Sequence, residues 1–221
     1  MSNNRPLPKA VLFDFDGVVV DSSDVHYKAW SSAYLELFKV QIPPFPSLTH
    51  AGKAPIVIAQ YFCDGINQPG KAEELYLLKS EHLHVSEQAP NLLPGLHDIL
   101  IFLVENKIPY GVASNATRQF LTNSIRQLKM DFSIYTGVED YVNPKPHPEA
   151  YISLAKKLNV QDSDFGETWV FEDSLTGTKA AKLAGMIPIG ILAQHNTEAL
   201  KKAGSQLVFK HLLDALNYLK G

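Results

Sequence analysis

A short apolar segment near the start of the chain ends in two aspartates and a glycine. Residues 9–17 read Lys-Ala-Val-Leu-Phe-Asp-Phe-Asp-Gly, so that Asp14 and Asp16 are separated by a single residue. A continuous apolar run of this kind is typical of a strand that is buried on both faces of a parallel sheet. Because residues two apart on a strand point to the same face, the two carboxylates would repel each other there and lose solvation. A bound cation would remove this cost, so the segment predicts a buried parallel strand with a cation at its carboxyl end.

Further short apolar runs follow along the chain, and helical patterns separate them. Strands that alternate with helices form right-handed βαβ units, which predicts an α/β fold with a doubly wound parallel sheet. The acids that follow the first and fourth runs must be neighbours if they share one metal, so we expect the strand order 3-2-1-4-5. After the first run, the candidate strands cover residues 108–114, 132–136, 169–172, 187–192 and 206–209.

Residues 18–92 interrupt this alternation, because their apolar pattern is helical and contains no convincing buried strand. Apolar positions between residues 25 and 37 form the stripe of a first helix. The proline-rich segment 43–46 is expected to end that helix, since proline disfavours helix at its own position and at the preceding one. Further helices are predicted over residues 54–62 and 72–84.

This interruption predicts two domains. We interpret residues 18–92 as a small helical cap domain that is inserted directly after the first strand. The remaining residues, 1–17 and 93–221, would form a discontinuous core domain. The two linkers are expected near residues 18–22 and 90–94.

Composition and charge exclude several classes of protein. Hydrophobic residues make up 45% and charged residues 19% of the 221-residue chain, which is ordinary globular composition. The net charge of −3 is a poor match for a polyanion, so we expect no nucleic-acid partner. No apolar run approaches the roughly 20 residues that span a bilayer, and no signal sequence is visible, so we expect a cytoplasmic protein without a membrane partner. The chain is large enough to bury its own core, and we expect a monomer.

Polar side chains follow the candidate strands at the edge where α/β sheets bind ligands. The carboxylates would hold a cation, and hard oxygen ligands without His or Cys favour Mg²⁺ over zinc. The metal would in turn hold a phosphate, with Lys145 and Ser114 neutralising and orienting its other oxygens. For Ser174 the favoured interpretation is a helix N-cap. The candidate site residues at this edge are Asp14, Asp16, Ser114, Asn115, Lys145, Glu172 and Asp173.

Four segments, taken in order, resemble the haloacid dehalogenase-like (HAD) superfamily, and the resemblance covers the whole chain. The segments are Asp-Phe-Asp-Gly-Val at 14–18, Ser-Asn at 114–115, Lys-Pro-His-Pro at 145–148 and Glu-Asp-Ser-Leu-Thr-Gly at 172–177. The resemblance implies a Rossmann-like core, and the helical insertion is similar to the small cap of this family.

The resemblance also implies roles for individual residues. Asp14 would be the nucleophile and Asp16 the general acid and base. Mg²⁺ would be bound by Asp14, by the carbonyl of Asp16 and by Asp173, with Glu172 either a direct ligand or a support for the ligands. The residues that bind the phosphoryl group would be Ser114, Asn115 and Lys145.

Resemblance to the dehalogenases or phosphonate hydrolases of this superfamily would imply a residue other than aspartate at position 16, so the resemblance here favours phosphoryl transfer to or from oxygen. The sequence therefore predicts a Mg²⁺-dependent phosphatase that hydrolyses a small phosphate monoester, by default a sugar or polyol phosphate, through an aspartyl-phosphate. A remote alternative is a non-enzymatic, receiver-like phosphoacceptor domain. Such a domain resembles a shorter chain without a cap, and its phosphorylated aspartate ends the third strand.

A second alternative is a phosphosugar mutase. Residues 21–30 resemble the β-phosphoglucomutase branch, in which a histidine at the place of His26 reaches toward the acid/base aspartate. The mutase cap loop resembles Gly-x-Ser-Arg, whose arginine grips a second phosphate, whereas here Pro55 stands in that place. Lys53 could substitute but lacks the bidentate fork of arginine, so a phosphatase is favoured. Together with Lys79, His26 and Lys53 are the candidate substrate contacts of the cap.

Overall fold

The computed structural model describes residues 6–44, 52–86, 88–193 and 195–221. Six parallel strands form one sheet in the order β5-β4-β1-β6-β7-β8. This confirms the predicted 3-2-1-4-5 order of a doubly wound sheet, with β8 continuing one edge. The strands of the structure are β1 (Ala10–Phe13), β2 (Val20–Asp21), β3 (Asn91–Leu92), β4 (Tyr110–Ala113), β5 (Tyr135–Thr136), β6 (Thr168–Glu172), β7 (Ile187–Ile191) and β8 (Leu207–Phe209).

Nine α-helices lie within the described residues. They are α1 (Ser23–Phe38), α2 (Pro55–Asp64), α3 (Ala72–His84), α4 (Leu96–Glu105), α5 (Arg118–Gln127), α6 (Glu149–Lys157), α7 (Leu175–Leu183), α8 (Thr197–Ala203) and α9 (Leu212–Lys220). Within the described ranges, none of these helices is long and apolar enough to cross a membrane.

Strand β1 lies in the middle of the sheet and has helices on both faces. It pairs in parallel with β4 on one side and with β6 on the other. Val11 and Phe13 join one hydrophobic cluster, with residues of α4, α5 and α9, while Ala10 and Leu12 join a second cluster, with residues of α6 and α7. Because alternate side chains enter alternate faces, a fully buried strand must be apolar throughout, as the sequence predicted.

Helices α1, α2 and α3 pack around a third hydrophobic cluster. Trp30, Tyr34, Phe62 and Leu75 are fully or almost fully buried there, and the rings of Trp30 and Tyr34 both contact the ring of Phe62. These helices match the helical pattern expected between residues 18 and 92. The division of the chain into a core and a cap domain stays a prediction.

The two segments that lead into and out of these helices pair with each other. Strands β2 and β3 form a two-stranded antiparallel ribbon, with Val20 opposite Leu92 and Asp21 opposite Asn91. The N–H of Leu93 also donates to the carbonyl of Val19 at 3.0 Å. The sequence indicated no strand here, because two residues are too few to show an alternating pattern.

The end of α1 differs from the expectation. The helix ends at Phe38, and Lys39 adopts a left-handed conformation with φ 59° whose N–H donates to the carbonyl of Leu35 at 2.9 Å. The prediction that the proline-rich segment 43–46 ends this helix is therefore wrong, since the left-handed cap already stops it. Residues 45 and 46 of that segment lie outside the described residues.

Gly95 provides a test of the packing between α4 and α9. It precedes α4 with φ 88°, and a Cβ at this position would overlap the backbone of Leu213. Gly185 has a similar φ of 76° but open space around it. We expect Gly95→Ala to lower the free energy of unfolding by about 3 kcal/mol and Gly185→Ala by about 1 kcal/mol, because only the first adds a clash to the backbone strain. Urea denaturation of both variants checks this, and equal losses would contradict it.

Candidate active site

Polar side chains from four segments meet at the carboxyl edge of the sheet. Two follow β1, two follow β4, two lie at the end of β6, and one is in the loop before α6. Each is hydrogen-bonded to another member of the set or lies close enough to two others to share a metal ion with them. The structure thus brings together all the residues predicted for this edge, namely Asp14, Asp16, Ser114, Asn115, Lys145, Glu172 and Asp173.

The ammonium of Lys145 lies at the centre of this group. Its Nζ is 2.6 Å from Oδ1 of Asp14 and 2.8 Å from Oε1 of Glu172. It also donates to the carbonyl of Ala113 at 2.9 Å and to the hydroxyl of Tyr151 at 2.7 Å. Burial alone would lower the pKa of Lys145. The two carboxylates raise it by more than burial lowers it, so the pKa of the lysine is above its usual value. The lysine is therefore charged when it contacts Asp14.

Three buried carboxylates surround this one cation. Ligand atoms of Asp14, Glu172 and Asp173 lie within 4.8 Å of one another. Burial raises the pKa of Asp14 to about 8, against the effect of Lys145, and burial together with the neighbouring acids raises the pKa of Asp173 well above its usual range. A divalent cation would offset this excess of negative charge, and oxygen ligands suit such a cation. The residues present therefore fit a divalent metal.

Gly17 lets the loop after β1 approach these acids closely. It adopts φ 88°, and a Cβ there would overlap the carboxylate of Asp173. Only glycine takes this conformation readily and leaves the space for that carboxylate. The short Asp-Gly step after β1 is thus required by the acidic cluster itself.

Glu172 is bound on both carboxylate oxygens by groups of the chain. Oε1 accepts from Lys145 and from the hydroxyl of Tyr151, and Oε2 accepts from the N–H of Ser174 at 3.2 Å and from its hydroxyl at 2.8 Å. The Ser174 hydroxyl also accepts from the N–H of Gly177 at 3.0 Å, which confirms Ser174 as the N-cap of α7. Burial raises the pKa of Tyr151, and Glu172 adds to this, so the hydroxyl keeps its proton. The contacts of Glu172 fit a group that supports the metal ligands.

The side chain of Asp16 is bound by groups outside this cluster of three acids. Its Oδ1 accepts from the Ser22 hydroxyl and lies 3.3 Å from Nε2 of His26, and its Oδ2 accepts from the Ser114 hydroxyl at 3.3 Å. Burial raises the pKa of Asp16, but the hydrogen bonds from His26 and Ser22 bring it below its usual value. Burial and the charge of Lys79 lower the pKa of His26. Asp16 is therefore an ionised carboxylate beside a neutral imidazole, in a position to accept a proton.

Asn115 joins the sheet edge to the loop before α2. Its Nδ2 donates to the carbonyl of Gly52 at 2.8 Å, while its Oδ1 accepts from the hydroxyl of Tyr141 at 2.9 Å and from the N–H of Lys145 at 3.2 Å. The Tyr141 hydroxyl also donates to the carbonyl of Ser114 at 2.7 Å. The amide therefore holds this loop against the site.

A cavity of about 520 Å³ opens above this edge. Its floor includes Asp14 and Asp16, whereas Lys145, Glu172 and Asp173 do not line it. Lys145 lies behind Asp14, with its Nζ 2.6 Å from Oδ1. The opposite wall comes from α1, α2, α3 and the loop before α2. The residues of that wall include His26, Trp30, Lys53, Pro55, Ile58 and Lys79, so all three predicted cap contacts line the cavity.

Lys79 is a buried cation in that wall. Its ammonium lies 5.5 Å above the ring of Trp30, and no described residue forms a hydrogen bond or an ion pair with it. Burial lowers the pKa of Lys79 to about 8, with Asp16 acting in the opposite direction. Such an ammonium is available to an anionic ligand in the cavity.

Sequence reasoning missed three residues that shape the site, namely Ser22, Tyr141 and Tyr151. Ser22 precedes α1, but its hydroxyl donates to Asp16 and does not cap the helix. Tyr151 belongs to the apolar stripe of α6 and is completely buried. The one feature of the sequence that could have indicated this role is the hydroxyl of Tyr151, because a hydroxyl that is buried among aliphatic side chains must find hydrogen-bond partners. The sequence offers no comparable signal for Tyr141.

Comparisons with known proteins agree with this geometry. Residues 11–191 match the sequence profile of the haloacid dehalogenase-like hydrolases. A phosphorylated carbohydrates phosphatase from Thermotoga maritima is 27% identical over 96% of this chain and 98% of its own. The β-phosphoglucomutase of Bacillus subtilis is 28% identical over 83% of each chain. A hydrolase from Pseudomonas syringae superposes with a TM-score of 0.80 over 95% of this chain and 97% of its own, at 22% identity, and so shares the fold.

The charge balance around Lys145 predicts a pH-dependent loss of stability in Lys145→Met. Without the ammonium, the pKa of Asp14 in the folded state rises above its present value of about 8. The native pKa already exceeds the unfolded pKa, so in both proteins Asp14 makes stability fall as the pH rises toward about 8. Above about pH 8 only the variant continues to lose stability, because its Asp14 has no ammonium beside it when it ionises. We expect Lys145→Met to lower the free energy of unfolding by about 3 kcal/mol or more at about pH 9, and by clearly less at about pH 6.

Urea denaturation at the two pH values measures both losses. Lys157→Met is the matched control, because Lys157 forms an exposed ion pair with Asp140. That control should lose no more than about 1 kcal/mol at either pH. Equal losses for Lys145→Met at both pH values would contradict the charge balance described above.

Proposed function

The chain belongs to the haloacid dehalogenase-like hydrolase family, and on that premise we propose that it is a Mg²⁺-dependent phosphatase. The substrate would be a small phosphate monoester, a sugar or polyol phosphate, and the reaction would pass through an aspartyl-phosphate. The observation that carries this proposal is the buried contact between Lys145 and Asp14, directly beneath the cavity.

Asp14 has the contacts of a nucleophile. Lys145 binds its Oδ1, and no described residue donates a hydrogen bond to its Oδ2. One oxygen is therefore oriented while the other is available to attack phosphorus. A carboxylate nucleophile divides hydrolysis into the formation and the breakdown of an acyl phosphate, and each step is easier than direct attack by water.

Asp16 would transfer the protons in both steps. It would take up a proton before the first step, give it to the alkoxide, and then take one from water in the second step. The departing alkoxide needs a proton when the ester breaks, and water needs a base when the acyl phosphate breaks. Asp16 lines the cavity and keeps hydrogen bonds to Ser22, His26 and Ser114. These bonds hold its carboxylate beside the substrate and clear of the acidic cluster.

Asp14, the carbonyl of Asp16 and Asp173 would hold Mg²⁺, with Glu172 supporting them. When bound, the ion would neutralise phosphoryl oxygens and balance the surrounding carboxylates. Lys145 and the Ser114 hydroxyl would neutralise and orient the remaining phosphoryl oxygens, and Asn115 would complete the phosphoryl site.

The cap wall of the cavity supports hydrolysis over mutase chemistry. Pro55 is the first residue of α2 and lines the cavity, where it offers no hydrogen-bond donor. Lys53 and Lys79 supply point charges, which hold a distal phosphate less firmly than the fork of an arginine.

We also propose that α1, α2 and α3 form a cap domain, which the ribbon of β2 and β3 joins to the core.

The second candidate is a phosphosugar mutase. The contact between His26 and Asp16 favours it, because that arrangement resembles the β-phosphoglucomutase branch. The β-phosphoglucomutase among the relatives fits this alternative as well.

Asp14→Asn tests the nucleophile. The substitution keeps the shape of the side chain but removes the attacking carboxylate, so we expect kcat/KM on the best phosphate ester to fall by about three orders of magnitude or more. Asp24→Asn, on the exposed first turn of α1, should leave the rate unchanged. Chelation of the metal should abolish turnover, and added Mg²⁺ should restore it. A near-normal rate in Asp14→Asn would show that another group attacks phosphorus.

Product analysis separates the phosphatase from the mutase. We expect a hexose monophosphate to release inorganic phosphate without any bisphosphate primer, because water competes well when the distal end of the substrate is held weakly. Pro55→Arg should bind a hexose bisphosphate more tightly than the native protein does, since arginine binds phosphate through two hydrogen bonds. Primer-dependent interconversion of β-glucose 1-phosphate and glucose 6-phosphate, with negligible phosphate release, would instead identify a mutase.

A further inference from the structure

Tyr151 makes polar contacts that its packing does not require. The residue lies on α6, and its ring fills the hydrophobic cluster on one face of the sheet. Its hydroxyl receives a hydrogen bond from Nζ of Lys145 at 2.7 Å and donates to Oε1 of Glu172. A phenylalanine would fill the same space and keep the ring 4.4 Å from the ammonium. The hydroxyl is thus an additional group between the two charged residues.

The directions of these hydrogen bonds follow from counting protons. A phenol has one proton, and an ionised carboxylate can only accept, so the hydroxyl donates to Glu172 and accepts from Lys145. The ammonium has three protons but four acceptors within 2.9 Å, namely Asp14, Glu172, Tyr151 and the carbonyl of Ala113. Three N–H groups are therefore shared among four acceptors. The position of the ammonium depends on how strongly each acceptor attracts it, and a charged carboxylate attracts it most.

We propose that Tyr151 is a positioning residue that acts through Lys145 and Glu172 on the binding of the phosphoryl group. Its hydroxyl supplies part of the bonding of Glu172 and one acceptor for Lys145. By donating to Glu172, the hydroxyl limits how strongly that carboxylate attracts the ammonium, so that Lys145 keeps an N–H directed at Asp14 and at a phosphoryl oxygen beside it. This inference rests on the proposed phosphatase function.

The loss of the hydroxyl would change the balance of these bonds. Glu172 would lose a donor on Oε1 and would attract the ammonium more strongly. The N–H that Tyr151 now accepts would be free to turn to Glu172 as well. The ammonium would therefore move toward Glu172 and away from the phosphoryl group, although the packing of α6 is preserved.

Tyr151→Phe tests this inference in the Mg²⁺-loaded enzyme. We expect the inhibition constant of inorganic phosphate and the KM of the ester each to rise about tenfold, which is the effect of one lost hydrogen bond to a charged group. Tyr110→Phe is the matched control, because the hydroxyl of Tyr110 contacts Asp131 at 3.4 Å on the exposed surface of the protein. The control should leave both constants unchanged, and urea denaturation shows separately what each change costs in stability.

A double-mutant cycle with Glu172→Gln tests the route of the effect. If Tyr151 acts through Glu172 and Lys145, the two substitutions together should weaken phosphate binding by less than the product of their separate effects. The inference would be overturned if Tyr151→Phe left the inhibition constant of phosphate and the KM of the ester unchanged, or changed them no more than Tyr110→Phe does. It would also be overturned if the effects of Tyr151→Phe and Glu172→Gln on phosphate binding were independent. A native enzyme that neither hydrolyses any phosphate ester nor binds phosphate would instead overturn the proposed function itself, and this inference with it.

Discussion

The ion pairs of one buried lysine determine how the rest of the site is arranged. Lys145 has 1% of its side chain exposed and contacts Asp14 and Glu172, which follow or end neighbouring strands. Burying a charge without partners is costly, and three buried carboxylates exceed one ammonium. The ammonium alone does not balance these acids, and they fit a divalent metal. This excess of negative charge links the fold to the proposed chemistry, because the carboxylates that a cation would neutralise are those that would take part in the reaction or hold the metal for it.

The fold supplies the positions of these charges through strand order and close packing. Placing β1 between β4 and β6 brings the ends of three strands to one edge. Two glycines then leave the space that the carboxylates occupy, since a Cβ on Gly17 would overlap Asp173 and a Cβ on Gly177 would overlap Glu172. The contact between Asn115 and Gly52 holds the loop before α2 near the carboxyl edge of the sheet. The apolar core thus surrounds a small polar site, and a particular residue makes each of these close contacts possible.

The sequence predicted the parts of this arrangement that follow from regular patterns. The apolar run before Asp14 and the alternation of strands and helices were sufficient for the parallel sheet. The strand order followed from the acids after the first and fourth runs, which were expected to be neighbours. Features that depend on only a few residues were not predictable in this way. The β2–β3 ribbon is too short for any periodicity, and the left-handed Lys39 ends α1 without a glycine to signal it. Tyr151 lies in an apolar stripe, so its bond to Lys145 shows only when α6 packs against the sheet.

The most direct test of this account is the identity of the residue that carries the phosphoryl group during turnover. The Mg²⁺-loaded enzyme would be mixed with a good phosphate ester and quenched in acid within one turnover. Borohydride would then reduce any acyl phosphate to a primary alcohol, and the digested protein would be analysed by mass spectrometry. The account predicts a reduced side chain at Asp14 and at no other acid. Reduction at Asp16 or Asp173, or an unmodified Asp14 while phosphate is released in the same turnover, would contradict it.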